Sequence, residues 1–186
     1  MRKLFVLLAA AVMAVSMMAQ EHLQIKGVDI NGSYGDFVYE LSTHGCSYGV
    51  NMHGFPMIKG EFAGAEMFFF PQQTSSGIVY SVIVCSSSYK EISSLNGRYK
   101  ELEQLLKQKY GKGKKAKIEK GYYRNMYGPL VDGKASNALV FENEIGTIYL
   151  YIHKCDYQTV QAGEVNMIYV DKANEQLLLQ EANMDI

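Results

Sequence analysis

One continuous stretch, from Ser76 to Gly111, most constrains the fold of this chain. Its first part, SGIVYSVIVCSSS, is an apolar run that predicts one long buried strand. Its second part spaces apolar residues three and four positions apart, which places them on one stripe of a helix. The residues of this stripe are Ile92, Leu95, Tyr99, Leu102, Leu106 and Tyr110. The rest of the chain is expected to be arranged around this strand and this helix.

The ends of the long helix carry recognisable signals. Ser88 and Glu91 form a capping-box pattern, which predicts the start of the helix there. Gly111 can adopt the left-handed conformation that ends a helix. Gly97 costs about 1 kcal/mol relative to alanine in a helix interior, so the first turns are predicted to be a separate or kinked piece.

The chain begins with a pattern typical of a secretory signal peptide. Arg2 and Lys3 precede an apolar run from Leu4 to Val15, which is short for a membrane span. We predict cleavage after Ala19, so that residues 1–19 are the signal peptide and residues 20–186 form one exported domain, periplasmic or secreted. No later segment is apolar enough to be predicted to cross a membrane.

The predicted mature chain is weakly acidic and long enough for one domain with a real core. Loss of Arg2 and Lys3 leaves 16 basic and 19 acidic residues, which does not favour nucleic acid as a partner. Three cysteines remain, Cys46, Cys85 and Cys155. An oxidising compartment permits one disulfide among them, but their spacing is not that of a disulfide framework, and unpaired buried thiols are the favoured interpretation.

The alternation of apolar residues predicts most other elements. Residues 22–30 are predicted to form a strand with a bulge at Gly27, because the apolar phase changes there. Ser33 and Asp36 predict a short helix that ends at Gly45. Further strands are predicted at 47–53, 57–70, 77–86, near 116–127, in a hairpin around Asn143–Gly146 and at 165–170, and Asp171 is predicted to cap a final helix. The segment Met67–Phe70 is apolar on both faces, and Pro71 is expected to end its strand.

This order predicts an α+β fold, with an antiparallel sheet or sheets and helices on one side. Both main helices open with Ser-Tyr, followed shortly by an acidic residue and an apolar one, and end at a glycine before antiparallel strands. This similarity between the two halves of the chain suggests two helix-plus-meander repeats, 20–87 and 88–186, that share one core. The alternative is that the similarity arose by chance.

Four segments carry a resemblance to known proteins. HLQIKGVDINGSYGDFVYEL, IKGEFAG, YKELEQLLKQKYG and IYVDKAN resemble small exported proteins of unknown function from gut-type Gram-negative bacteria. The order of elements is also similar to that of tandem β-lactamase-inhibitor-like modules. The resemblance implies a fold and a compartment, but no activity and no functional residue. Cys46 departs from the first family, which implies an aromatic residue just after Gly45.

Two groups of residues are candidates for binding. A lysine-rich stretch between the long helix and the next strand includes Lys112, Lys114, Lys115 and Lys117, which as a flexible basic flap would bind an anionic glycan, lipid head group or acidic protein. Its alternative is an ordinary solvated loop. On the predicted strand TIYLYIHKC, Tyr149, Tyr151 and His153 share one face, which would stack on sugars or hold a partner. The alternative here is a covered second face of the sheet; a group at Tyr122, Tyr123 and Tyr127 has the same two interpretations.

Catalytic and metal sites have weaker support. Only His44 and Cys46 have tight metal-ligand spacing, with His53 further away, so no metal or other cofactor is predicted. Cys155 and His153 are the best nucleophile and base pair, without an orienting third residue. We therefore expect a non-enzymatic exported domain that binds an unknown envelope protein or glycan. The alternatives are a small exported enzyme and a structural subunit of an envelope assembly with Met67–Phe70 buried between chains.

Overall fold

The structure of the protein is a computed structural model, and it describes residues 21–50, 56–117, 124–125, 128–129, 137–157 and 160–184. The predicted signal peptide lies outside these residues. The chain begins with the short strands β1 (Gln24–Ile25) and β2 (Val28–Asp29), followed by helix α1 (Tyr34–Thr43). Four strands follow: β3 (Cys46–Val50), β4 (Pro56–Phe62), β5 (Ala65–Gln73) and β6 (Val79–Ser86).

The second half of the chain begins with the long helix α2 (Ile92–Tyr110). Its strands are β7 (Lys114–Lys117), β8 (Arg124–Asn125), β9 (Gly128–Pro129), β10 (Asn137–Glu142), β11 (Gly146–Tyr157) and β12 (Val160–Asp171). Helix α3 (Lys172–Met184) ends the described chain. The protein therefore has the predicted α+β fold.

Eight strands form one antiparallel sheet in the order β3-β4-β5-β6-β12-β11-β10-β7. Each half of the sheet is an antiparallel meander preceded by a helix, and the halves meet where β6 pairs with β12. This topology agrees with the predicted helix-plus-meander order. Whether the halves are repeats in the evolutionary sense stays a prediction.

Helices α1 and α2 and the β1–β2 hairpin pack on one face of the sheet and form the main core with it. Phe37 and Leu41 of α1, and Leu102 and Leu106 of α2, are buried in this core. All eight residues of β6 are buried, as expected of a strand at the centre of a sheet covered on both faces. The strand predicted from Ser76 onward is thus confirmed as the middle of the fold.

The other face of the sheet holds a second buried cluster. Its residues come only from strands, among the described parts of the chain: Ile83, Cys85, Ala138, Tyr151, Ile168 and Val170, with Phe68, Phe70, Val140 and Tyr149 packed against them. In the Met67–Phe70 segment, Met67 and Phe69 therefore face the main core, whereas Phe68 and Phe70 face this second cluster. Both faces of the segment are largely covered within one chain.

The cap of α1 agrees with the prediction. The hydroxyl of Ser33 accepts a hydrogen bond from the Asp36 N–H at 3.2 Å and donates one to the Asp36 carboxylate at 2.6 Å. Gly45 closes the helix with φ of +79°, a conformation that suits glycine. At α3, the carboxylate of Asp171 accepts the Asn174 N–H at 3.0 Å, as predicted for a cap.

The predicted start of α2 is wrong. The helix begins at Ile92, Glu91 makes no side-chain cap, and Ser88 donates its hydroxyl hydrogen to Glu164 of β12 at 2.6 Å instead. The Ser88 hydroxyl thus bonds to a residue distant in sequence and does not form the predicted capping box with Glu91. Ile92 is 64% exposed and does not join the buried stripe. The helix also runs without interruption through Gly97, so no separate first piece exists.

Two predicted strands are in fact hairpins. Residues 22–30 turn at Lys26–Gly27 between β1 and β2, and residues 57–70 turn at Ala63–Gly64 between β4 and β5. Both pairs of turn residues have positive φ, between 52° and 82°, which matches the twist of tight hairpins. The change of apolar phase at Gly27 therefore marks a reversal of the chain and not a bulge.

Two other boundaries also differ from the prediction. Pro71 does not end its strand, because β5 continues to Gln73. The strand predicted near 116–127 begins earlier, as β7 at Lys114–Lys117, and pairs with β10. The predicted hairpin around residues 143–146 is confirmed. In its turn, the side-chain oxygen Oδ1 of Asn143 accepts hydrogen bonds from the backbone N–H groups of Ile145 and Gly146.

Candidate functional site

A groove of about 570 Å³ lies between α2 and the two tight hairpins. We call it the α2 groove. Its lining residues are Gln24, Ile25, Lys26, Gly27, Phe62, Ala63, Leu102, Leu105, Leu106, Gln108, Lys109, Tyr110, Met167 and Tyr169. The β1–β2 turn and the β4–β5 turn form one wall, the second half of α2 forms the other, and β12 provides the floor. Its volume falls in the range typical of small-molecule sites, roughly 300–1,000 Å³.

A buried arginine holds one wall of the groove against the other. Arg98 of α2 is only 6% exposed, and its guanidinium donates to the carbonyls of Ala63 at 2.7 Å and Phe62 at 2.8 Å. It also pairs with Glu101 at 3.2 Å. The guanidinium therefore fixes the β4–β5 turn to the helix and sets the width of the groove at this end.

The opposite end of the groove is more polar. Tyr169 of β12 is buried, and its hydroxyl contacts the sulfur of Met167 at 3.9 Å. Burial raises the pKa of Tyr169 strongly, and the nearby phenol of Tyr110 raises it further. Two phenol groups thus approach each other here, and Lys109 lies beside them with its ammonium 5.2 Å from the centre of the Tyr110 ring.

The charge on the lining of the groove has one sign. Lys26 and Lys109 are its charged residues, and no carboxylate is among the described residues that line it. Lys26 donates to the carbonyl of Glu61 at 2.6 Å. In the described part of the chain, neither lysine forms an ion pair within 4 Å of a carboxylate. The groove is therefore an apolar site with a basic rim.

A second cavity of about 450 Å³ adjoins the α2 groove. The two share Gln24, Lys109 and Tyr110, and the second cavity adds Glu21, Asp29 and His22 to its lining. His22 is fixed by Asp171, which is 3.2 Å from its Nδ1, and by the amide of Asn31, which is 3.0 Å from its Nε2. The boundary at Lys109 and Tyr110 thus separates an apolar basic cavity from a polar, acidic one.

The predicted lysine flap has a different structure. Lys114, Lys115 and Lys117 lie on β7, an edge strand, while Lys112 is exposed in the short link before it. Lys115 is paired with Leu139 and Lys114 with Val140, so these two neighbours point to opposite faces of the sheet. The strand divides the lysines between two faces, and binding by them stays a prediction.

The predicted tyrosine face is present, but one of its members is not accessible. Tyr149 and Tyr151 lie in the second cluster, opposite the main-core residues Ile148 and Leu150, and His153 follows on the same side of β11. Tyr151 is fully buried, and burial strongly raises its pKa. Its ring cannot stack on a sugar in this arrangement. The side chains of Tyr122, Tyr123, Tyr127 and Cys155 lie outside the described residues.

The described residues contain no group of three His, Cys, Asp or Glu side chains that could hold a metal ion. His53 lies outside them, so the His44–Cys46–His53 cluster is not tested. Cys46 and Cys85 are buried thiols that are not joined in a disulfide, and burial raises the pKa of Cys46. The geometry of these side chains suits packing and not nucleophilic chemistry.

The sequence pattern predicts part of the lining of the α2 groove but does not mark it as a site. Leu102, Leu106 and Tyr110 belong to one predicted apolar stripe, whereas Lys26 and Phe62 carry no signal in the sequence.

Of the described helices, none has the length and apolar character needed to cross a membrane. No family model, curated protein or solved structure matches this chain.

Proposed function

We propose that the protein is an exported, non-enzymatic binding domain that holds a small, mainly apolar ligand in the α2 groove. The signal-peptide pattern of residues 1–19 supports export. The side chains that line the groove support binding, because they are aliphatic, aromatic, amide and lysine groups. Carboxylate, imidazole and thiol groups, which most often act as acids, bases and nucleophiles, are absent from its described lining.

The observation that carries this proposal is the apolar interior of the groove. Leu102, Leu106 and Met167 are almost wholly buried in the core, yet each also borders the groove. Leu105 stands at the rim and is 46% exposed. Binding of an apolar ligand to a concave apolar surface of this kind is favourable by about 25 cal/mol per Å² of apolar area buried, because the ligand displaces water.

The test uses residues 20–186 and the neutral dye N-phenyl-1-naphthylamine, whose fluorescence rises in apolar surroundings. We expect saturable binding to the folded domain. Leu105→Arg places a charge at the rim of the groove and is expected to weaken dye binding about tenfold or more, since burying the charge would be unfavourable.

Ile92→Arg is the matched control. Ile92 is an exposed apolar residue on the same helix and does not line the groove. It should leave dye binding unchanged. Absence of saturable dye binding, or equal binding by the Leu105→Arg and Ile92→Arg variants, would refute the α2 groove as the site.

A further inference from the structure

We infer that the ligand of the α2 groove is an amphiphile with one acidic head group, which lies beside Lys109 and Tyr110 while its apolar chain extends along α2. This inference rests on the proposed function and specifies the chemistry of the ligand. Its basis is the ordering of apolar and polar groups along the groove, together with the sign of the charge at its rim.

The apolar end of the groove lies next to the β4–β5 turn. Phe62, Leu102 and Leu106 line it together with the side chain of Met167. Arg98 does not add a charge to this surface, because its guanidinium is directed to the carbonyls of Phe62 and Ala63 and to Glu101. This end therefore offers hydrocarbon and aromatic contacts, which suit an acyl chain.

The polar end lies about one to two turns further along α2. Lys109, Tyr110, Gln108, Gln24 and Tyr169 line this part of the groove, with the ammonium of Lys109 5.2 Å from the centre of the Tyr110 ring. Phenol hydroxyls and an ammonium are hydrogen-bond donors, and donors that line the same part of a groove favour the oxygens of a carboxylate or phosphate group. In the described part of the chain, the Tyr169 hydroxyl donates its hydrogen only to the sulfur of Met167, a weak acceptor, so a ligand oxygen would be a stronger acceptor for the same hydrogen.

The charges around this end limit where the head group can lie. Lys109 favours an anion at this end of the α2 groove, whereas the ammonium of Lys26 is held by the carbonyl of Glu61 beside the β4–β5 turn. Glu21 and Asp29 line the adjoining cavity and disfavour an anion there, and Asp29 already accepts a hydrogen bond from the Gln24 amide at 2.7 Å. The head group is thus placed at the boundary, beside Lys109, and not beyond it.

The experiment measures displacement of N-phenyl-1-naphthylamine from residues 20–186 at neutral pH by dodecanoate, dodecyl phosphate, dodecanol and dodecyltrimethylammonium, all below their micelle-forming concentrations. We expect one or both anions to displace the dye at concentrations about tenfold lower than dodecanol. The Lys109→Met variant should lose this preference. Lys112→Met, which removes the same charge outside the groove, should keep it.

Three results would overturn the inference: dodecanol as effective as both anions, dodecyltrimethylammonium as the best competitor, or an anion preference that persists in the Lys109→Met variant. In each of these cases the dye still binds and Leu105→Arg still weakens it, so the proposed function stands while the head-group chemistry is wrong. Failure of the dye to bind at all would instead refute the proposed function.

Discussion

Arg98→Met is the substitution that tests most directly how the walls of the groove are held together. The change keeps an unbranched apolar side chain in a site that is only 6% exposed, but removes the guanidinium that donates to the carbonyls of Phe62 and Ala63. A hydrogen bond to a charged group contributes roughly 1.5–3 kcal/mol. The neighbouring pair with Glu101 adds little, because that carboxylate is 66% exposed and exposed ion pairs contribute about 0–1 kcal/mol.

Water can reach part of the β4–β5 turn, since Gly64 is exposed, and it will replace some of the lost donors. We therefore expect a loss of about 2–4 kcal/mol in the free energy of unfolding, less than the sum of two charged hydrogen bonds. For a domain of this size the melting temperature should fall by roughly 5–15 °C. Arg98→Lys, which keeps one charged donor group, should lose about half as much.

The assay is urea unfolding of residues 20–186 followed by circular dichroism, with Glu101→Gln as the control, expected to change stability by less than about 0.5 kcal/mol. The dye affinity of the folded Arg98→Met variant should also fall, because the β4–β5 turn is no longer fixed to α2. If Arg98→Met is as stable as the unmodified domain, the guanidinium does not hold the β4–β5 turn to α2.

Three further predictions follow from single residues. Gly97→Ala should stabilise the domain by about 0.5–1 kcal/mol, because the position is helical and open. Gly146→Ala should destabilise it by roughly 1–3 kcal/mol, because the new Cβ would lie 2.5 Å from a backbone oxygen of β12, and thermal melts of the two variants measure both changes. Hydrogen bonds from Ser75 and Ser76 lower the pKa of Glu181 to about 2, so its stabilising contribution is present above the unfolded pKa near 4.5 and is lost as the pH falls towards 2; Glu181→Gln should flatten the acid side of the stability profile between these values. Burial raises the pKa of Tyr169, so the contribution of this phenol to stability is complete below the unfolded pKa near 10 and declines above it. An ultraviolet titration of the Tyr169→Phe variant should show one fewer phenol that ionises at high pH, and a titration curve equal to that of the unmodified domain would contradict the burial.

Sequence patterns predicted the centre of this fold well. The all-buried strand β6 shows as one continuous apolar run, whereas the stripe of α2 and the hairpin of β10 and β11 each repeat one periodicity over many residues; both kinds of pattern depend on burial alone. The start of α2 was predicted wrongly because a local capping box competes with a partner distant in sequence, and Ser88 takes the distant partner, Glu164.

The groove could not be predicted, because the turns that shape its wall carry unusual residues. Tight hairpins of this type favour Asn-Gly or Asp-Gly, whereas these turns are Lys26-Gly27 and Ala63-Gly64. Lysine and alanine adopt positive φ at a cost, so their local preference predicts a continuous strand. Packing of the flanking apolar residues into the core outweighs that cost, and a sequence pattern does not show it. The glycine at each second position is the one available signal.

The junction of β6 and β12 has a consequence for the order in which the chain acquires its structure. The pairing joins residues near 83 to residues near 168, whereas each meander forms from strands that are close in sequence. While the second half is still being synthesised, β6 has a neighbour on one side only, and its run of apolar residues is an open edge that can pair with another chain. Contacts between residues this far apart form slowly because the intervening chain must be closed into a loop. The strand at the middle of the finished sheet is therefore the segment whose protection from self-association before folding matters most.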